Sequence, residues 1–132
     1  MHKITVGAKA EEKLLVTGEV CVGFMGEEDA RVLSTPHMIG FMERTCRNAV
    51  SPMLEAGFDT LGTKVNVSHL AAAPIGDVVT FTAEITDWAD RRVEFQVEAW
   101  DKAGKIGEGS HERTIVNVAR FAARMAEKRQ RS

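Results

Sequence analysis

Apolar residues recur with a helical period over one long interior segment of this chain, residues 34–55. On a helical wheel, the apolar side chains of this segment merge into one continuous arc. Thr35 is suited to the N-cap and Pro36 to the first helical position, where a missing N–H costs nothing. Gly57 ends the helix shortly after Pro52. The pattern therefore predicts one central helix.

Alternation with a period of two, which is typical of half-buried strands, fills most of the remaining sequence. The β-forming residues 12–21 predict a strand before the helix, and the acidic, glycine-containing residues 22–33 predict a loop or lid. Four alternating segments follow the helix, at residues 61–69, 79–85, 93–99 and 106–118. On the first of them, one side carries Leu61, Thr63, Val65, Val67 and His69. A short C-terminal helix is predicted from an apolar stripe of Phe121, Ala122 and Met125.

The links between the predicted strands are short and turn-like, which favours antiparallel neighbours. A largely apolar helix and an alternating sheet bury each other most economically when the sheet curls around the helix. We therefore predict an α+β protein with the hotdog fold, in the order strand, helix, four strands and short C-terminal helix. The sequence shows no linker or internal repeat, so residues 1–132 are expected to form a single domain.

The composition of the chain says more about its binding partners than about its fold. A formal net charge of −2 and a pI near 6.1 give no electrostatic reason to expect nucleic acid. Cys21 and Cys46 belong to no CxxC motif and predict free thiols rather than a disulfide framework. The N-terminal residues lack the apolar region of a signal peptide, and no apolar run is long enough to span a bilayer. We expect a soluble, cytoplasmic protein with no membrane partner.

Glu43 is the residue that the helical pattern itself singles out for chemistry. It falls inside the apolar arc, where a carboxylate has a desolvation cost unless it finds partners. Thr35 stands at the start of the helix, and His69 shares its side of the strand with Val65 and Val67. Together, a hydroxyl, a carboxylate and an imidazole can orient water, accept its proton and protonate a leaving group.

Each of these residues also has a purely structural interpretation. Thr35 can be a helix cap only, and His69 can be a core histidine bonded to a backbone carbonyl. Glu43 can be neutralised by Arg113 or lie at a dimer seam. Glu43, His69 and His111 could also form a metal site, but their spacing follows no metal-binding pattern, so no metal is predicted.

Three sequence blocks carry a family resemblance. They are T-x-x-M-x-G-x-M-E at residues 35–43, LGT-x-V-x-V-x-H-x-A-A-x-P at residues 61–74 and IG-x-G-x-HER at residues 106–113. With these blocks in this order, residues 34–118 resemble the fluoroacetyl-CoA thioesterase-like family of hotdog proteins.

The resemblance implies hydrolysis of an acyl-CoA thioester to the free acid and CoA, in a homodimer with clefts at the subunit interface. Thr35, Glu43 and His69 would be catalytic, with Glu43 as general base or nucleophile and His69 handling the proton on water or thiolate. The substrate-binding residues would be Gly62, Met38 and Met42. Basic candidates for the CoA phosphates are Arg91, Arg92 and Lys64. Coenzyme A is then part of the substrate, and no cofactor is expected.

The segment before Thr35 departs from the family pattern. The fluoroacetyl-specific enzyme carries an apolar, aromatic lid there, whereas residues 22–33 hold a single aromatic side chain, Phe24, and several charges. We therefore predict a thioesterase for an unidentified acyl group, without selectivity for fluoroacetyl-CoA. Two alternatives stay open, a hotdog hydratase or dehydratase and a non-catalytic acyl-CoA-binding module.

Overall fold

The computed structural model describes residues 2–131 and confirms the predicted order of elements. The strands and helices are β1 (Lys9–Leu15), α1 (Thr35–Val50), β2 (Phe58–His69), β3 (Val78–Ala89), β4 (Arg92–Asp101), β5 (Gly104–Asn117) and α2 (Val118–Arg131). Short 3-10 helices occupy Gly18–Val20, Glu28–Ala30 and Ser51–Met53. No helix within the described residues is long and apolar enough to cross a membrane.

The five strands form one antiparallel sheet in the order β1-β3-β4-β5-β2. Helix α1 lies across the concave face and packs most extensively on β3. Alternate residues of β3 and β4, such as Phe81, Ile85 and Phe95, are buried beneath it, as the period-two pattern predicted. The α+β hotdog arrangement is therefore confirmed, with β1 and β2 as the two edges of the sheet.

The structure differs from the prediction at both ends of the first strand and of the central helix. Strand β1 begins at Lys9 and stops at Leu15, where its partner β3 begins at Val78, and Val16 instead exchanges hydrogen bonds with Gly76 and Asp77 of the turn that precedes β3. Ser34, not Thr35, is the N-cap of α1, and its side chain accepts a hydrogen bond from the backbone N–H of His37. The α-helix ends at Val50, and the predicted last turn is a separate 3-10 helix.

A β-bulge in β2 changes which side chains face the helix. The pairing with β5 shifts between Gly62 and Lys64. Before the bulge, Thr60 is buried while Leu61 is 42% exposed. The predicted side is therefore correct for Val65, Val67 and His69, which pair with concave-side residues of β5, but wrong for Leu61 and Thr63. The Thr63 hydroxyl instead donates a hydrogen bond to the Glu112 carboxylate, 2.7 Å away.

Gly109 lies opposite Val67 in the pairing of β5 with β2, at a position with no space for a side chain. A β-carbon at this position would overlap the Asn66 carbonyl oxygen and lie 2.6 Å from the Val67 Cα atom. Because both neighbours are backbone atoms, Gly109→Ala must separate the strands. We expect it to lower the free energy of unfolding by about 2 kcal/mol or more. Thermal or urea unfolding measures the change.

Gly23→Ala is the matched control, since a β-carbon at Gly23 meets no atom within 4 Å. Equal stability of the Gly109→Ala and Gly23→Ala proteins would contradict the close β2–β5 contact.

Candidate active site

The Glu43 carboxylate lies at the third turn of α1 and faces the start of β2. Its Oε2 atom is 3.5 Å from Nη1 of Arg113 and 3.8 Å from Nε2 of His111. A β-carbon on Gly62 would collide with the same oxygen, so the absence of a side chain at Gly62 makes room for the carboxylate. The Glu43 side chain is 40% exposed, so it faces the sheet as predicted but at an open margin rather than within the core.

Arg113 lies on the concave face of the sheet and contacts both Glu43 and His111. It is 5% exposed, and its guanidinium donates hydrogen bonds to Oγ1 of Thr60 (2.7 Å) and to the Thr60 carbonyl (2.9 Å). Burial lowers the pKa of Arg113, and the nearby Glu43 carboxylate acts in the opposite direction. The ion pair with Glu43 therefore opposes the effect of burial on the Arg113 guanidinium.

His111 completes the cluster as a neutral imidazole. Its Nδ1 atom lies 2.8 Å from the Lys64 carbonyl, which can only accept, so Nδ1 carries the proton. Its Nε2 atom lies 3.2 Å from Nη1 of Arg113, which can only donate, so Nε2 carries none. Burial lowers the pKa of His111 in agreement with this assignment. Sequence reasoning weighed His111 only as a possible metal ligand and missed its place beside Glu43.

Thr35 and His69 form a second cluster at the other end of β2. The Thr35 hydroxyl and Nδ1 of His69 are 2.7 Å apart, and burial lowers the pKa of His69. The Nε2 atom of His69 is buried and has no hydrogen-bond partner among residues 2–131. Beside the pair lies an open groove of about 340 Å³ that Val32, Leu70 and Ala71 help to line. The Thr35 hydroxyl thus orients the imidazole through Nδ1, and Nε2 makes no hydrogen bond within residues 2–131.

The two clusters do not meet within one chain. Eight residues of α1 separate Thr35 from Glu43, which corresponds to about 12 Å of helix. Seven residues of β2 separate Gly62 from His69, which corresponds to about 20 Å of strand. The structure therefore joins Thr35 to His69 and Glu43 to His111 and Arg113, but not the three predicted residues to one another. Within residues 2–131, no group of three His, Cys, Asp or Glu side chains is arranged to hold a metal ion.

Met38 and Met42 lie in the core beneath the site. Both are almost fully buried, and a β-carbon on Gly107 would come within 2.7 Å of the Met38 sulfur. One turn further along α1, burial raises the pKa of the Cys46 thiol to about 12. That thiol stays protonated at neutral pH, so it offers no nucleophile next to Glu43.

Comparison with known proteins identifies the family. The family model described as fluoroacetyl-CoA-specific thioesterase matches residues 16–119. Over 101 residues the chain is 41% identical to the fluoroacetyl-CoA thioesterase of Streptantibioticus cattleyicolor, a match that covers 76% of this chain and 73% of that enzyme.

Solved structures agree with the sequence match. The fluoroacetyl-CoA thioesterase FlK superposes with a TM-score of 0.86 at 34% identity, over 96% of this chain and 98% of FlK. A mutant of FlK in complex with fluoroacetate and CoA superposes with a TM-score of 0.81 at 35% identity, over 89% and 99% of the two chains. A hypothetical protein of Thermus thermophilus, a thioesterase superfamily member, gives 0.89 at 31% identity, over 99% and 97%. The chain belongs to the fluoroacetyl-CoA-specific thioesterase family.

Proposed function

We propose that this protein hydrolyses an acyl-CoA thioester to the free acid and CoA, with water as the second substrate and no cofactor. The observation that carries the proposal is the imidazole of His69, which Thr35 orients through Nδ1 and which has a buried, unpartnered Nε2. Such a nitrogen has an unmet hydrogen bond, which a substrate or a water molecule entering from the adjacent groove would satisfy. The complex of a FlK mutant with fluoroacetate and CoA supports this class of substrate. Free thiols at Cys21 and Cys46 suit a cytoplasmic enzyme.

A homodimer is the second part of the proposal, because β2 is an uncovered edge. It is a 12-residue strand with β5 on one side only. Its Val65 faces the helix side of the sheet, yet remains 43% exposed. An exposed, partly apolar edge strand is a template for pairing with another strand. A second copy of β2, related by a twofold axis, would supply that strand.

With the bulge counted as one position, antiparallel pairing around an axis at Asn66 would place Gly62 opposite His69 of the partner subunit. Glu43, which lies against Gly62, would then share one cleft with the partner's Thr35 and His69. The dimer would contain two such clefts. This arrangement brings the three predicted catalytic groups together, although within the single chain Glu43 lies about 12 Å from Thr35 along α1.

In each cleft, ionised Glu43 would remove a proton from the attacking water or attack the carbonyl carbon itself. Both routes require the carboxylate that Arg113 stabilises. Neutral His69 would accept a proton at Nε2, from protonated Glu43 in the first route or from the water that hydrolyses the acyl-Glu43 anhydride in the second, and pass it to the CoA thiolate, so the products are the acid and free CoA. Backbone N–H groups near Gly62 or the start of α1 would receive the oxyanion.

The acyl group is proposed to be one other than fluoroacetyl. The segment before α1 presents Phe24 with 82% of its surface exposed, next to charged residues. Met38 and Met42 would form the floor of the acyl site once the substrate enters from the β2 edge. A panel of acyl-CoA thioesters with a thiol-detecting dye identifies the preferred chain.

Glu43→Gln and His69→Asn should each reduce CoA release by about a hundredfold or more, because each removes a proton acceptor from the reaction. Circular dichroism checks that both variants remain folded. If the clefts are shared between subunits, a heterodimer of the two variants, purified through two different tags, has one intact cleft. Its activity should return to about half that of the wild-type dimer, since a twofold dimer has two clefts.

A heterodimer of Glu43→Gln with the Glu43→Gln/His69→Asn double variant is the matched control, because neither of its clefts is intact. If the heterodimer of the Glu43→Gln chain with the His69→Asn chain is inactive, the shared cleft is contradicted. Wild-type rates in both single variants would contradict the site itself.

The value of kcat/KM should fall on acidification with a midpoint below pH 6.5. The reaction needs neutral His69, and burial lowers the pKa of this imidazole from its ordinary value of 6.5. Protonation therefore begins only below that value, and activity is retained above it. A kcat/KM profile from pH 5 to 8, combined with NMR titration of the His69 ring, measures both midpoints. A His69 midpoint above 6.5 would contradict the proposed role.

A further inference from the structure

A small cavity opens where β2 begins and β5 ends. It has a volume of about 130 Å³, and Phe58, Ile115 and Asn117 form part of its wall. Three arginines, Arg91, Arg120 and Arg124, also line it, together with His2 and Val116. The cavity lies beside the Glu43 cluster rather than the His69 cluster, since Thr60 and Gly62 follow Phe58 on the same strand.

The fold holds the three arginines close together. Arg120 and Arg124 are four residues apart on α2 and therefore share one face of the helix. The start of α2 is fixed to the start of β2 by a hydrogen bond from the Val118 N–H to the Gly57 carbonyl, 2.9 Å long. Arg91 is held at the β3–β4 turn, where its carbonyl accepts a hydrogen bond from the Ile115 N–H at 2.7 Å.

None of these three arginines has a carboxylate partner. Among residues 2–131, no ion pair involves Arg91, Arg120 or Arg124, and the Arg124 guanidinium lies 5.7 Å from the centroid of the Phe121 ring. The arginines elsewhere that are paired with carboxylates are Arg31, Arg44, Arg47, Arg92 and Arg113. In a chain of net charge −2, three unneutralised guanidinium groups around one cavity make a local site for an anion.

We propose that this cavity binds the phosphate groups of the CoA portion of the substrate. This inference rests on the proposed function. Phe58 lies four residues from Gly62, about 13 Å along the strand. The pantetheine arm between the thioester and the first phosphate spans roughly 15 Å, from bond lengths like those of a peptide. A thioester held beside Gly62 can therefore place its phosphates among Arg91, Arg120 and Arg124, whose planar guanidinium groups match phosphate geometry.

The proposal revises the sequence-based candidates for phosphate binding. Arg92 is engaged with Glu112 and Asp87, and Lys64 lines a groove with Glu94 and Glu112 instead. Of the three earlier candidates, Arg91 alone lines this cavity.

The test compares an acyl-CoA with the same acyl group on pantetheine, which lacks all the phosphates. In Arg120→Gln/Arg124→Gln, the wild-type preference in kcat/KM for the CoA thioester should fall about fivefold or more. Arg131→Gln, a matched loss of charge on the same helix, should keep the wild-type preference. An acyl-dephospho-CoA tells the 3′-phosphate apart from the diphosphate. Calorimetry with CoA itself gives a readout that does not depend on hydrolysis.

An unchanged preference together with unchanged CoA affinity in Arg120→Gln/Arg124→Gln overturns the phosphate site and leaves the proposed function intact. An equal loss with both thioesters also overturns it, since the arginines would then act on folding. If no thioester is hydrolysed, but CoA binds and its affinity falls about fivefold in the double variant, the site stands and the proposed function fails.

Discussion

The site depends on the hydrogen bonds and the ion pair made by one buried guanidinium group, that of Arg113, on the concave face of the sheet. Taking the charge of Arg113 out of water costs several kcal/mol unless partners replace the lost hydration. Thr60 supplies two of these partners, His111 a third, and Glu43 the compensating charge. The same set of contacts fixes the tautomer of His111 and holds the Glu43 carboxylate against Gly62. One buried cation thus positions the neighbouring carboxylate.

The features that look incomplete in the single chain all border β2. Glu43 is half exposed, Val65 is exposed on the helix side of the sheet, and Nε2 of His69 is buried without a partner. Each would be unusual alone, because apolar and polar groups at such positions normally find packing or hydrogen bonds. A second copy of β2 along this edge would cover Glu43 and Val65, and the cleft that it forms would lie beside His69. Stability and catalysis would then depend on the same interface, because covering that edge also assembles the proposed cleft.

Local patterns in the sequence were sufficient for the elements and for the inward-facing candidates. Helical periodicity placed Glu43 towards the sheet, and strand alternation placed His69 on the helix side. Two things lay beyond local patterns. The side of Leu61 was predicted wrongly because a bulge is set by pairing with β5, which the alternation of one strand does not encode. The partnership of Glu43 with His111 depends on how far α1 lies from β5, a tertiary distance that no spacing in the sequence reports.

The bulge also explains how one strand can serve both clusters. Gly62 and His69 are seven residues apart, and in a regular strand an odd separation places two residues on opposite faces. The extra residue between Gly62 and Lys64 reverses the alternation, so Gly62 faces Glu43 while His69 faces Thr35. Without it, twofold pairing would bring the two positions side by side but on opposite faces of the sheet. The irregularity in β2 would therefore allow an edge strand to contribute to both halves of the proposed cleft.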